Sequence, residues 1–171
     1  MFAPDIVTDR LLIKSMTLDD AGFAAMLWGD EEVGKYLADP YYKSEAELKE
    51  IISDIAEWED DYPFIACLKE TGEPIGTCSV GPEGGPAQWG FGYCVRKGLW
   101  GKGYATEMAK AMLSFACSKG IRDFQGTVAT ENTASARVME KCGMYLDHQG
   151  SFKKRGTDIV YASSIYRLHL D

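Results

Sequence analysis

Histidine is nearly absent from this 171-residue chain. The two present, His148 and His169, have no partner at metal-ligand spacing, which argues against a zinc site and against a histidine-based nucleophilic triad. Cysteine is also sparse: Cys67, Cys78, Cys94, Cys117 and Cys142 make an odd number with no C-x-x-C pair, read as reduced and mostly buried thiols. No run of 18 apolar residues exists, so no membrane span is expected. The opening Met1-Phe2-Ala3-Pro4-Asp5 lacks a basic segment followed by an apolar one, so no secretory signal is expected and the chain reads as cytoplasmic. Positive charge is in deficit, with 18 Lys/Arg against 26 Asp/Glu and a net charge of −8. That weighs against nucleic acid or an anionic membrane surface as partner.

What is present fits one α/β domain over residues 1–171. At this length about 70% of the unfolded surface is buried on folding, enough for a core without a staple. The charge is uneven. Residues 1–86 carry 6 Lys/Arg and 19 Asp/Glu, a balance of −13, whereas residues 87–171 carry 12 and 7, a balance of +5. Solvated surface explains such a split, and so does a cleft with an anionic ligand on one side and a cationic one on the other.

The pattern along the chain reads βααβββαβαββ. A strand over 8–14 is followed by a helix from Thr17 to about Trp28, with acidic residues in its first turn. Ser44 and Glu47 form a capping box, and Leu48, Ile51, Ile52, Ile55 and Trp58 recur at helical spacing. Tyr36, Tyr41 and Tyr42 fall in the loop between the two helices, either lining a pocket or resting on the core. Strands at 64–69 and 74–80 flank a Thr71-Gly72-Glu73 turn, and Gly81 to Pro86 reads as a loop. Over 88–95, Trp89, Phe91, Tyr93 and Val95 alternate with Gly90 and Gly92, which leave the backbone open on the other face. A helix over 101–119 ends at Gly120, a strand covers 124–129, and a helix from about 133 to 141 ends at Gly143. A hairpin closes the chain.

The informative segment is Val95-Arg96-Lys97-Gly98-Leu99-Trp100-Gly101-Lys102-Gly103-Tyr104-Ala105-Thr106-Glu107. A strand ends, a glycine turn follows and a helix begins, so that successive backbone N–H groups and a helix N-terminus converge on one anion site. Gly101 and Gly103 allow positive φ and close approach of a phosphate. Arg96, Lys97 and Lys102 add charge. The pattern is neither a P-loop nor a dinucleotide G-x-G-x-x-G fingerprint. About 30 residues on, Asn132-Thr133-Ala134-Ser135 opens the short helix; Asn132 reads as its cap or as a ligand for amides.

These two segments, with Glu140-Lys141-Cys142-Gly143 and the opening Thr8-Asp9-Arg10-Leu11, resemble the GCN5-related N-acetyltransferases (GNAT), and more narrowly their Rim-type ribosomal-protein acetyltransferase branch. The resemblance covers nearly the whole chain. It implies a mixed, mostly antiparallel sheet of about seven strands with four helices, and two parallel strands splayed to bind acetyl-CoA. In the family pattern [Arg/Gln]-x-x-Gly-x-[Gly/Ala], Gly103 and Ala105 fit, and Trp100 stands where Arg or Gln is usual. By the resemblance, residues 100–106 (Trp100, Gly101, Lys102, Gly103, Tyr104, Ala105, Thr106) and Arg96 take the phosphates. The backbone of Tyr93, Cys94 and Val95 pairs with the pantetheine arm, Asn132 binds the cofactor's amide region, and Arg137 is a further phosphate candidate.

The implied activity is acetyl-CoA-dependent N-acetylation of a primary amine by direct attack. The acceptor is a protein N-terminus or a small amine, and the chain acts as a monomer or homodimer. Ser135 is the candidate general acid, because Met139 occupies the position where a tyrosine serves in many members; as a local alternative, its hydroxyl bonds its own backbone. The branch's strand glutamate is replaced by Gly90, so Glu83 in the adjacent loop is the candidate base. Glu107 reads as structural, with an intrahelical role. The missing glutamate and Met139 motivate an alternative, a non-catalytic acyl-CoA sensor on the same scaffold. A nucleotide-binding module is a third reading.

Overall fold

A computed structural model describes residues 3–40, 44–57 and 59–171. The elements in order are β1 (Ile6–Val7), β2 (Leu11–Ser15), α1 (Ala21–Gly29), α2 (Glu45–Glu57), β3 (Tyr62–Leu68), β4 (Pro74–Gly85), β5 (Gln88–Val95), α3 (Tyr104–Ser118), β6 (Asp123–Ala129), α4 (Thr133–Lys141), β7 (Tyr145–Lys153) and β8 (Val160–His169). The described strands form one eight-stranded sheet in the order β1-β2-β3-β4-β5-β6-β8-β7. The expectation of about seven strands missed the two-residue β1, which pairs Ile6 with Ile13. Every neighbouring pair is antiparallel except β5 and β6.

The sheet is covered on both faces. On one, Met108 and Met112 of α3 and Val138 and Met139 of α4 are buried with Trp89, Phe91 and Val95 of β5. On the other, Ala21 and Ala24 of α1 and Leu48 and Ile52 of α2 close over Ile65 and Cys67. The α2 stripe is as periodicity predicts for Leu48 and Ile52, with Ile51 and Ile55 half-buried; Trp58 lies outside the described residues. The capping box is formed: the Ser44 backbone N–H donates to Glu47 Oε2 at 2.9 Å and the Glu47 N–H to Ser44 Oγ at 3.2 Å.

The strand expected over 8–14 begins at Leu11 and the first α-helix at Ala21, after a 3-10 turn over Leu18–Asp20; two further differences have a clear physical reason. Gly81 to Gly85 is not a loop but the end of β4, with a bulge between Pro82 and Gly85 against β5. Glycine and proline suggest a loop, yet the β3–β4 ladder stops at Tyr62 and Val80, so Pro82 needs no N–H on that side. Helix α3 starts at Tyr104 rather than 101, because Gly101 and Gly103 have φ of +75° and +84° and cannot belong to it.

Of the tyrosine loop, Tyr36 meets Tyr161 edge-to-face at 5.5 Å; Tyr41 and Tyr42 lie outside the described residues. The β7–β8 tip is fastened to this loop. Lys154 is fully buried and donates to the carbonyls of Gly34 at 2.7 Å and Leu37 at 2.8 Å, and the Arg155 N–H donates to Ala38 O.

Candidate active site

β5 and β6 pair only at Gln88–Asp123 and Trp89–Phe124 and then separate. The direction of the free backbone follows from the other edge. Arg96 N–H donates to Ile75 O, so the β4-facing pairs are Thr77–Cys94, Ser79–Gly92 and Gly81–Gly90. Phe91, Tyr93 and Val95 therefore turn N–H and C=O toward the gap. This narrows the pairing expected of residues 93–95. Cys94 spends its backbone on β4, and its thiol is buried, with burial pushing its pKa up to about 12. The Val95 carbonyl already accepts from Trp100 Nε1 at 2.7 Å. Tyr93 and the Val95 N–H remain.

At the end of the gap is the glycine turn. Backbone N–H groups of residues 101–106 have no acceptor among the described residues, and Gly103 caps α3 without a side-chain bond. Six such donors at a helix N-terminus make an anion cradle, and the residues fit a pyrophosphate. Side-chain charge contributes less than expected. Arg96 pairs with Glu73, and Lys97 with Glu32 at 2.6 Å. Lys102 is exposed with no ion pair among the described residues, as is Arg137 on the outer side of α4.

The turn is braced from the N-terminus, a role the sequence reading missed. Arg10 Nε donates to Glu107 Oε2 at 2.7 Å, its Nη1 donates to Lys102 O at 2.8 Å, and its guanidinium lies 4.3 Å from the Tyr104 ring centroid. Thr8 Oγ1 and the Arg10 N–H also donate to Glu107 Oε1, at 2.6 and 2.8 Å. Burial alone would raise the Glu107 carboxyl; these bonds and the Arg10 charge hold it below its usual range. Glu107 is thus structural as expected, but its partners are tertiary, not intrahelical. The signal was the Thr8-Asp9-Arg10-Leu11 string, whose spacing put both donors in one turn.

Glu83 sits in the β4 bulge, the place where an extra residue re-aims a side chain. Its carboxylate covers Gly90: a Cβ at Gly90 would collide with Glu83 Oε2. Gly90 is therefore buried, not open as the alternation suggested. Burial raises the Glu83 pKa, and the hydroxyl of Thr127 on β6 draws it part of the way back. Carboxylate and glycine thus complement one another across two strands.

Ser135 and Asn132 meet at the start of α4. Asn132 Oδ1 accepts from the Ser135 N–H at 3.2 Å, so Asn132 is the cap, with its amide NH2 unspent among the described residues. The Ser135 hydroxyl does not bond its own backbone; its oxygen lies 2.6 Å from the Tyr93 hydroxyl. Met139 is buried against Gly126 and has no proton to give. Among the described residues no group of His, Cys, Asp and Glu forms a metal site, and no helix is long and apolar enough to cross a membrane.

Residues 10–145 match the family model of the acetyltransferase (GNAT) domain. The chain belongs to the GNAT acetyltransferases. An uncharacterized N-acetyltransferase, p20, of Bacillus licheniformis is 28% identical over 95% of this chain and 96% of its own. The ribosomal-protein-S5-alanine acetyltransferase of Vibrio fischeri shares the fold with a TM-score of 0.81 at 13% identity, covering 99% of this chain and 98% of that one. The spermidine N-acetyltransferase of Vibrio cholerae, solved with CoA and spermine, has a TM-score of 0.79 at 17% identity, with 95% and 96% covered. The mixed α/β sheet with one parallel pair is the GNAT fold.

Proposed function

We propose that this GNAT protein is an acetyl-CoA-dependent N-acetyltransferase acting on a primary amine, a protein N-terminus or a small cationic amine, by direct transfer. The observation that carries the reading is the row of partnerless N–H groups at 101–106, opening on the same gap as Glu83 and Ser135. When bound, acetyl-CoA supplies an activated acyl thioester for the amine to attack.

The chain's own groups meet the other requirements. The turn at 101–106, with Lys102, holds the phosphates. Tyr93 and the Val95 N–H orient the extended arm, and a gap-facing backbone N–H of β5 is the oxyanion donor. Glu83 takes the amine proton, its raised pKa making it a better base than an exposed glutamate, and Ser135 is the donor to the departing sulfur. Glu83 standing over Gly90 also bears on the sensor alternative: the carboxylate missing from β5 is supplied by β4, so one of that reading's two motives falls away.

The test is thiol release from acetyl-CoA with a peptide bearing N-terminal Ala or Ser, with spermidine and with an aminoglycoside. At least one gives turnover, and Glu83→Gln lowers kcat/KM by about 10²-fold or more and removes the acidic limb of its pH profile. That limb lies above the ordinary glutamate range, because the ionised form is the base and the folded pKa is raised. CoA binding without turnover for any amine refutes catalysis in favour of the sensor.

A further inference from the structure

The Tyr93–Ser135 contact has a directionality that decides what Ser135 can do. The two oxygens are 2.6 Å apart, and either hydroxyl is able to donate. Each has one proton. If serine donates to tyrosine, the serine proton is spent inside the protein. If tyrosine donates to serine, the serine proton is free to point elsewhere.

Two features favour the second arrangement, and the packing holds both partners at it. A phenol is the stronger donor and an aliphatic hydroxyl the stronger acceptor. Burial keeps the Tyr93 phenol protonated, with its pKa pushed up to about 12, so it is a donor at any physiological pH. Both partners are also held in place. The Tyr93 ring stacks on Phe91 at 6.5 Å, and the Ser135 N–H is held by the Asn132 cap. Tyr93 lies near the C-terminal end of β5 and Ser135 in the first turn of α4, just beyond the end of β6, so the contact spans the open end of the gap.

We infer that Tyr93 is a positioning residue for the acyl transfer: its phenol donates to Ser135 Oγ and so fixes the serine proton toward the gap, as the hydrogen-bond donor to the departing sulfur. Tyr93 neither gains nor loses a proton. This inference rests on the proposed acetyltransferase reading, in which Ser135 faces the coenzyme's sulfur.

The experiment measures the affinity of CoA by calorimetry as a function of pH for the wild-type chain, Tyr93→Phe, Ser135→Ala and the double variant. The pH dependence gives the pKa of the bound thiol, which a purely structural tyrosine would not move. In the wild type the bound thiol ionises below the value measured for the thiol of CoA free in the same buffer. Tyr93→Phe and Ser135→Ala each raise it by about one unit, a tenfold change, and the double variant raises it no further, because the two act as one device. Turnover follows, with kcat down about tenfold in Tyr93→Phe and the acceptor KM unchanged. Thermal unfolding confirms that Tyr93→Phe, which removes one oxygen, remains folded; Ser135→Ala supplies the same readout from the other partner. A bound-thiol pKa in folded Tyr93→Phe equal to the wild type's, or additive shifts in the double variant, overturns the inference and leaves the acetyltransferase reading intact. Failure of the wild-type chain to bind CoA overturns both.

Discussion

The brace between Arg10 and the phosphate turn makes a quantitative prediction. Arg10→Met removes three contacts at once while keeping most of the aliphatic stem. The ion pair with Glu107 is worth little, because the Arg10 side chain is 45% exposed and water screens it: about 0.5–1 kcal/mol. The bond to the Lys102 carbonyl adds about 1 kcal/mol. The contact with the Tyr104 ring adds about 0.5 kcal/mol at this exposure. Together they come to about 2 kcal/mol at the lower end of these values, and they act on the segment that carries the N–H row. If all of it goes into ordering the turn, CoA affinity falls by about 30-fold. Part of it goes into global stability, so a loss of about five- to thirtyfold is expected. Arg10→Lys keeps the charge but not the fork that reaches Glu107 and Lys102 O together, and falls between. The assay is calorimetric titration with CoA, paired with denaturant unfolding of the apo chain. The acceptor KM stays unchanged, because Arg10 lies far from Glu83 in the fold. A CoA affinity within twofold of wild type in a folded Arg10→Met protein would refute the bracing role.

Lys154→Met leaves the Gly34 and Leu37 carbonyls without their ammonium donor in a buried site; stability falls by about 2–4 kcal/mol in denaturant unfolding, and the acceptor KM rises while CoA affinity holds. Gly103→Glu puts an L side chain at φ +84° and a carboxylate beside the N–H row; CoA binding is lost by calorimetry, with a stability cost of only about 1–2 kcal/mol. Unchanged CoA affinity in that variant would show that the phosphates bind elsewhere.

Much of the fold was legible because its signals are local. The Ser44–Glu47 capping box, the alternation of Trp89, Phe91 and Val95, and the glycine stops at 120 and 143 each follow from spacing along a few residues. The glycine turn was legible for the same reason: nothing but positive φ at 101 and 103 explains two glycines between a strand and a helix. The parts that escaped depend on pairing between distant strands. Whether Gly81 to Gly85 is loop or strand depends on β5 running alongside, and the composition alone favours a loop. That Cys94 turns its backbone away from the gap depends on the β4 register, which one residue of slip would reverse. The Arg10 brace joins residues nearly a hundred positions apart, and periodicity does not report such a contact. Glu83 lies between these cases. Gly90 marks an absent side chain, but only the register that sets Gly81 opposite Gly90 puts the bulge carboxylate into the vacated space.

The charge asymmetry is the feature that the structure changes most. Taken as a ligand map, the −13 and +5 halves assign cations to the phosphate side and anions to the acceptor side. Several of those charges instead neutralise one another across the seam between the halves. Arg96 is paired with Glu73, Lys97 with Glu32, Arg155 with Asp39 at 2.7 Å, and, with the signs reversed, Arg10 with Glu107. Each pair joins a residue before position 86 to one after it. Net of the reversed pair, two charges on each side are used in this way, which brings +5 to +3 but −13 only to −11, so most of the N-terminal acidity lies outside these pairs. What is left for the coenzyme is mainly dipolar, the N–H row backed by Lys102. On the proposed function, what is left for the acceptor is Glu83, whose burial raises its pKa and suits it to take a proton. On that same proposal, the loop after α1, which Lys154, Arg155 and Tyr161 hold in place, bears on amine selection alongside the remaining acidity of the N-terminal half.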